Sequence, residues 1–289
     1  MKTESERGFV LILVLLILAA LMAIATDFAY SVYVNISGIH NMQVLEKLSI
    51  EGSSLIDSSA GPFMQSLSQG DIPLDGQQME IPIDSSTTVY FQADDENSKF
   101  NINTLVSQNG DLNKDAYDSF RRLLKALNLD ETIADKVVGW IDPQALPSQQ
   151  LGGGEGENVK NGYLTSTAEL GLLIDKASYD TLKNYVTVFG DGLININSAT
   201  APVLMSLSDD VSEDLAERVI ERRKLDPFKN IGELSQVAGF ERLGMDLAPR
   251  ITVSSSAIGI TASARQEGIT RIVEGVLDSS GKILYWREY

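Results

Sequence analysis

The chain has 289 residues, a formal net charge of −17, no cysteine and a single histidine. This composition excludes disulfides, a thiolate nucleophile, a zinc–cysteine site, a histidine-centred triad and a multi-histidine metal centre. The acidic balance repels nucleic acid and suits a translocated soluble domain or a divalent-cation ligand, and the length suffices for one large core or two modest ones.

Residues 1–8 form a polar leader that contains Lys2, Glu4, Glu6 and Arg7 and ends in Gly8. Residues 9–26 are then uncharged and mostly apolar, up to Asp27. As a helix rising ~1.5 Å per residue, that run covers about 27 Å, enough to cross a bilayer core. Lys2 and Arg7 ahead of it keep its N-terminus cytoplasmic and send the rest of the chain across. Ala23-Ile24-Ala25 offers a small-residue cleavage site, so a secretory signal peptide and an uncleaved anchor stand as alternatives. The acids in the leader are unusual for a signal peptide. The helical period also continues past the apolar run, through Phe28, Val32, Ile36 and Ile39 to Leu45, Leu48, Leu55 and Ile56. One helix from residue 9 to about 59, carrying His40 on its flank and stopped by Gly61-Pro62, is the simplest account.

Met79, Ile81 and Ile83 alternate with polar residues, Asp84-Ser85-Ser86 offers a turn, and Val89 and Phe91 alternate in residues 87–93. This predicts a β-hairpin. Asp94-Asp95-Glu96-Asn97 reads as a solvated acidic loop.

An internal repeat follows: Phe100-Asn101-Ile102-Asn103-Thr104 recurs as Ile194-Asn195-Ile196-Asn197-Ser198. Each copy is predicted to be a short strand ending in a helix cap, with a helix pair behind it. The pairs fall at residues 115–127 and 131–141, then at 201–207 and 212–223. Residues 165–174, 176–185 and 228–237 add helices, with 186–189 extended and Gly239 a turn residue. The tail returns to strand period at residues 251–255, 258–264, 270–277 and 283–286, with a hairpin turn at Asp278-Ser279-Ser280-Gly281. Strands flanking a helical middle predict an α+β fold: a long N-terminal helix packed on an antiparallel sheet, with a mostly helical domain inserted in that sheet. The expected limits are a leader at 1–8, the long helix at 9–62 with its membrane span at 9–26, a sheet unit at 63–104 and 241–289, and the insert at 105–240.

Asp142, Glu155, Glu157 and Asn158 sit on a loop that holds Gly152-Gly153-Gly154, a pattern of hard oxygens that fits calcium and equally fits a solvated loop. Asp209, Asp210, Glu213 and Asp214 suit helix capping. Trp140 suits core packing. Residues 226–240 resemble a helix-hairpin-helix unit, but acids surround it and phosphate binding needs cations, so a structural hairpin is expected. No phosphate-cradling loop, nucleophile elbow or acid–base pair is identifiable, and no enzymatic activity is expected.

In order along the chain stand Gly8-Phe9, Leu13, Phe100-Asn101-Ile102-Asn103-Thr104, Gly139-Trp140-Ile141-Asp142-Pro143, the Gly–Glu loop before Tyr163, and Ile194-Asn195-Ile196-Asn197-Ser198-Ala199. This succession resembles the type II secretion minor pseudopilin K family, and the leader resembles that of type IV prepilins. The resemblance implies cleavage by prepilin peptidase between Gly8 and Phe9, N-methylation of Phe9, and an inner-membrane anchor with a periplasmic head. It implies a place at the pseudopilus tip with the minor pseudopilins I and J as partners, in protein export across the outer membrane, without enzymatic activity. Most pilins carry Glu at the fifth mature position, where it neutralises a neighbour's N-terminal amine. Leu13 occupies that position here, as suits a subunit with no neighbour ahead of it. Some family members bind calcium in the inserted domain. Asp142, Glu155 and Glu157 match that pattern, whereas Gly139 and Gln144 replace two of its acids. A minor pilin of a type IV pilus or DNA-uptake system, and a tethered helix-hairpin-helix binding module, are the alternative readings.

Overall fold

The computed structural model describes residues 75–82, 88–142, 144–145, 160–266 and 269–289, together with positions 15–19, 21–23, 26–28, 30–31, 33–35, 42–44, 46–47 and 49–50 of the N-terminal region. The predicted stop at Gly61-Pro62, His40, and the hairpin turn with Ile83 lie outside the described residues.

The first helix, α1 (Leu15–Asn35), is long and apolar enough to cross a membrane, and the described side chains on it are exposed. Helical backbone recurs at the described positions from 42 to 50. There the surroundings change: Val44 is buried against Val89, Ala262 and Ala264, with Ile269 at the edge. Lys47 donates to Gln266 Oε1 at 3.4 Å, and the Ser49 hydroxyl donates to the Glu288 carboxylate. The helical segment is therefore bare at its start and sheet-packed further on, as its change from all-round apolar to amphipathic predicts.

After the hairpin strands β1 (Asp75–Pro82) and β2 (Thr88–Asp95), the chain leaves the sheet. The insert opens with β3 (Phe100–Asn101), a 3₁₀ turn, α2 (Lys114–Ala126) and α3 (Ile133–Ile141). A 3₁₀ helix (Thr167–Leu172), α4 (Lys176–Leu182) and β4 (Val186–Thr187) complete its first half. The second half repeats the plan with β5 (Ile194–Asn195), α5 (Ala201–Met205), α6 (Glu213–Leu225), a 3₁₀ helix (Ile231–Gln236), α7 (Leu243–Leu247) and β6 (Ile251–Thr252). The chain then re-enters the sheet through β7 (Ala257–Gln266), β8 (Ile269–Asp278) and β9 (Ile283–Glu288). The five-stranded sheet has the order β1-β2-β7-β8-β9, and each neighbouring pair is antiparallel.

The repeat seen in the short Asn motif spans the whole insert. β3 pairs in parallel with β4, and β5 in parallel with β6. In the first half, Asn103 Nδ2 donates to Leu164 O and Val188 O while its Oδ1 accepts from Leu164 N. In the second half, Asn197 Nδ2 donates to Phe228 O and Val253 O while its Oδ1 accepts from Phe228 N. One amide thus clamps two distant backbone segments in each copy. This use of donors and acceptor together leaves Asn little room for exchange.

The helices expected at residues 165–174 and 228–237 are present as 3₁₀ helices, at Thr167–Leu172 and Ile231–Gln236. One expectation needs correction. Phe100, Ile102, Leu247 and Ile251, which the expected limits assign to the sheet unit, pack in the same core as Phe120, Leu123, Val137 and Val219. The insert's core therefore reaches past residues 105 and 240 on both sides, since the short strands belong to it. Gly239 is a turn residue as expected: its φ is +95°, and a Cβ there would stand 2.5 Å from Leu215 Cδ2.

Asn197→Ala removes both carbonyl bonds and orphans Phe228 N–H. It is expected to destabilise the chain by about 2 kcal/mol, read as a lower melting temperature of the full chain in detergent. Asn197→Asp keeps the acceptor but sets a carboxylate oxygen against Phe228 O and Val253 O, and it should cost at least as much.

Candidate functional site

Asp95 is the last residue of β2, and the strand's burial alternates so that Val89, Phe91, Ala93 and Asp95 share the inward face. Asp95, Glu96 and Asn97 are all buried, at 1%, 7% and 3% exposure. The expected solvated acidic loop is instead a buried joint between sheet and insert. The alternation that identified β2 runs straight into Asp95, and that phase is the signal by which the joint was legible.

Burying a carboxylate is tolerable only when donors surround it. Asp95 accepts from Asn97 N at 2.8 Å, from Asn195 Nδ2 at 2.7 Å, and from the hydroxyls of Ser198 and Ser255. Glu96 accepts from Lys99 Nζ at 2.8 Å and from the Thr187 hydroxyl. Asn97 donates to Asp191 Oδ1 and Leu193 O, and its Oδ1 accepts from Ser256 N and Oγ. These partners come from the first exit strand (β4), the second entry strand (β5) and the return to β7. The joint therefore ties the insert's start, middle and end to one sheet corner. Gly259 on β7 supplies the space: a Cβ there would lie 2.7 Å from Glu96 Oε1. Phe189 of the insert meets Tyr285 of β9 with ring centroids 5.6 Å apart, a second contact between the two units.

A second carboxylate, Glu169, holds the first half of the insert. It accepts from Lys160 Nζ at 2.6 Å, Thr165 N at 2.8 Å, Thr165 Oγ1 at 2.9 Å and Trp140 Nε1 at 3.2 Å. Burial pushes its carboxyl up, but the bonds from Lys160, Thr165 and Trp140 outweigh burial and hold it down to about 2. Trp140 packs on the core as expected. Glu233 repeats the role in the second half, accepting from Lys229 N at 3.1 Å and Asn230 Nδ2 at 2.8 Å.

The helix-hairpin-helix resemblance has a geometric answer. In the unit at residues 226–240, Gly239 N donates to Glu241 Oε2 at 3.0 Å. In the first half of the insert, Ala177 N and Ser178 N at the start of α4 donate to the N-cap Asp175 Oδ1 at 3.0 and 3.1 Å. Backbone amides of the kind that would meet phosphate are already engaged by the chain's own carboxylates. Of the calcium candidates, Asp142 is described: it caps α3, and its Oδ1 accepts Gln144 N at 2.9 Å. Glu155, Glu157 and Asn158 lie outside the described residues, and among the described residues no group of three acidic or histidine ligands gathers. The described residues thus hold one of the four ligand candidates, Asp142. Gly8, Phe9 and Leu13 also lie outside the described residues. Of the acids expected to suit helix capping, Glu213 and Asp214 stand in the first turn of α6, whose side-chain cap is Ser212, while Asp209 accepts from Arg122 at 3.2 Å.

Two family models, both described as Type II secretion system (T2SS) protein K, match residues 98–191 and 194–254, and together they span more than half of the chain. The chain belongs to the type II secretion protein K family. The boundary between the two matches falls at the seam between the two halves of the insert. A curated Type II secretion system protein K from Dickeya chrysanthemi is 29% identical over 154 residues, covering 47% of this chain and 43% of that relative, so the match spans under half of the relative's length. A chain in the crystal structure of the GspK-GspI-GspJ complex from enterotoxigenic Escherichia coli has the same fold, with a TM-score of 0.70 at 16% identity over 86% of this chain and 98% of that one.

For this protein K member, Asp95→Ala leaves several buried donors without a partner. It should cost about 3 kcal/mol and lower the melting temperature by roughly 10 °C, whereas Asp94→Asn, on the outward face, should change it little. Glu169 has a depressed folded pKa, so its stabilisation is fully present above the ordinary value of 4.5 and is lost as pH falls towards about 2. Melting temperature measured across that window should fall more steeply for the parent chain than for Glu169→Gln.

Proposed function

We propose that this chain is a minor pseudopilin at the tip of a type II secretion pseudopilus, acting by assembly rather than catalysis. The observation that carries the reading is the pairing of protein K family matches in the insert with an apolar helix that leads into the sheet. In this reading prepilin peptidase cuts between Gly8 and Phe9, and Phe9 becomes the methylated N-terminus. Residues 9–26 hold the chain in the inner membrane with the sheet and insert in the periplasm. After extraction the same helix packs against partner stems.

The partners in this reading are the minor pseudopilins I and J. Support comes from the likeness of fold to a chain of a K–I–J complex. Leu13 fits the tip because an apolar residue there makes no demand for a neighbouring amine. The role in export across the outer membrane follows from the position at the tip. Nucleic acid has no part in this reading, since the surface is acidic and the hairpin amides are engaged internally. Calcium held by Asp142 with Glu155, Glu157 and Asn158 is a separate proposal. A calcium-dependent rise in melting temperature that disappears in Asp142→Ala would support it.

The test of the main reading is the N-terminus of the membrane-extracted chain, read by mass spectrometry. A chain starting at methylated Phe9 is expected, and a start at Thr26 would overturn the reading. In cells with the chromosomal copy replaced, Leu13→Glu is expected to leave cleavage intact and to reduce export of secreted enzymes at least several-fold. Unchanged export would count against the tip position.

A further inference from the structure

The described part of α1 distributes its aromatic residues unevenly. Between residues 10 and 27 the sequence has none, and then Phe28, Tyr30 and Tyr33 follow within six positions. All three are exposed to the same degree, at 70%, 68% and 70%. At ~100° per residue, Tyr30 and Tyr33 lie about 60° apart on one side of the helix, and Phe28 lies about 140–160° from both, on the other side. A single partner helix covers a stripe on one side and would leave either Phe28 or the two tyrosines uncovered, whereas a medium that surrounds the helix meets all three.

The axial dimensions match the same medium. From Phe28 to Tyr33 the helix rises ~7.5 Å, close to the thickness of one headgroup layer, and residues 9–26 before it would span about 27 Å as a helix, close to the hydrocarbon core. Polar groups change in step. Thr26 Oγ1 donates to Met22 O at 2.8 Å, so its hydroxyl is satisfied within the helix and needs no water. Asp27 is the first charge after the leader, and the tyrosine hydroxyls beyond it want water at one end and an apolar medium at the other.

We propose that Phe28, Tyr30 and Tyr33 form an aromatic belt seated in the lipid headgroup layer on the translocated side of the membrane, fixing the depth at which the stem waits before assembly. This rests on the anchor reading above and adds the position of the membrane boundary and the residues that set it. The belt resists both withdrawal into hydrocarbon, which would bury the hydroxyls, and exit into water, which would expose the rings.

The absence of cysteine makes the test direct. Single cysteines replace Met22, Asp27, Ser31 or Val34 in the full chain, carry a nitroxide, and are reconstituted in vesicles of phosphatidylethanolamine and phosphatidylglycerol. Collision rates with oxygen and with a water-soluble nickel chelate locate the crossover from lipid to water. The crossover is expected between Asp27 and Val34. It is expected to move towards the C-terminal side by about one helical turn when Phe28, Tyr30 and Tyr33 are all changed to Leu. A crossover outside that window, or one unmoved by the triple change, overturns the belt and leaves the anchor reading standing. Water access at all four positions, Met22 included, overturns both. Spin–spin broadening at Ser31 that vanishes on dilution with lipid would assign this face to a second copy and overturn the belt.

Discussion

A carboxylate at the inward end of a strand must find donors or leave the fold open, and Asp95 is where this chain meets that demand. Its four donors come from residues adjacent in sequence and from both later passages of the chain. The sheet closes only when β7 returns beside β2, and the insert seats only when β5 reaches the same corner. One group therefore couples two packing events that would otherwise be independent. Glu96 and Asn97 extend the coupling to β4 and to the start of β7. A helical unit spliced into a sheet is free to swing on its two connections unless they are tied, and here the connections and the middle of the insert share a single buried cluster.

The insert is built twice from one plan. Each half threads a short strand, a helix pair, a 3₁₀ connector and a final helix, then closes with a parallel two-residue pairing. The amide clamps at Asn103 and Asn197 and the carboxylate locks at Glu169 and Glu233 recur at equivalent places. The copies differ in sequence where the first has the long glycine-rich stretch after Asp142 and the second has only Asp226-Pro227. Asp175 and Glu241 accept backbone N–H groups of the chain itself, from Ala177, Ser178 and Gly239.

Much of this was legible in local pattern. The helix pairs, the hairpin at β1 and β2, the tail strands and the turn at Asp278 follow from period and turn chemistry. The turn is closed by Gly281 N to Asp278 O at 2.9 Å, with φ +85° at Gly281. The Asn motif announced the repeat. By charge density the acidic run at 94–97 reads as surface, whereas the phase of β2 turns Asp95 inward. Alternation placed Asp95 inward, and a charge placed inward needs partners that no local window contains. The extent of the insert is hidden for a related reason: two-residue strands carry too little pattern to reveal which core they join.

The amino-acid order alone determined the apolar stem, the two periods of the head and the tandem Asn motif, because each of these is a property of neighbours along the chain. Tertiary structure decided the burial of Asp95, the parallel pairings and the occupation of the hairpin amides. The bond from Asn195 to Asp95 joins positions 100 residues apart, and that from Ser256 to Asn97 joins positions 159 apart. Such contacts form only when separate cores dock, so their energetic sense is set by desolvation at the docked surface. A carboxylate that looks like surface in the linear chain becomes a buried acceptor once that surface closes over it.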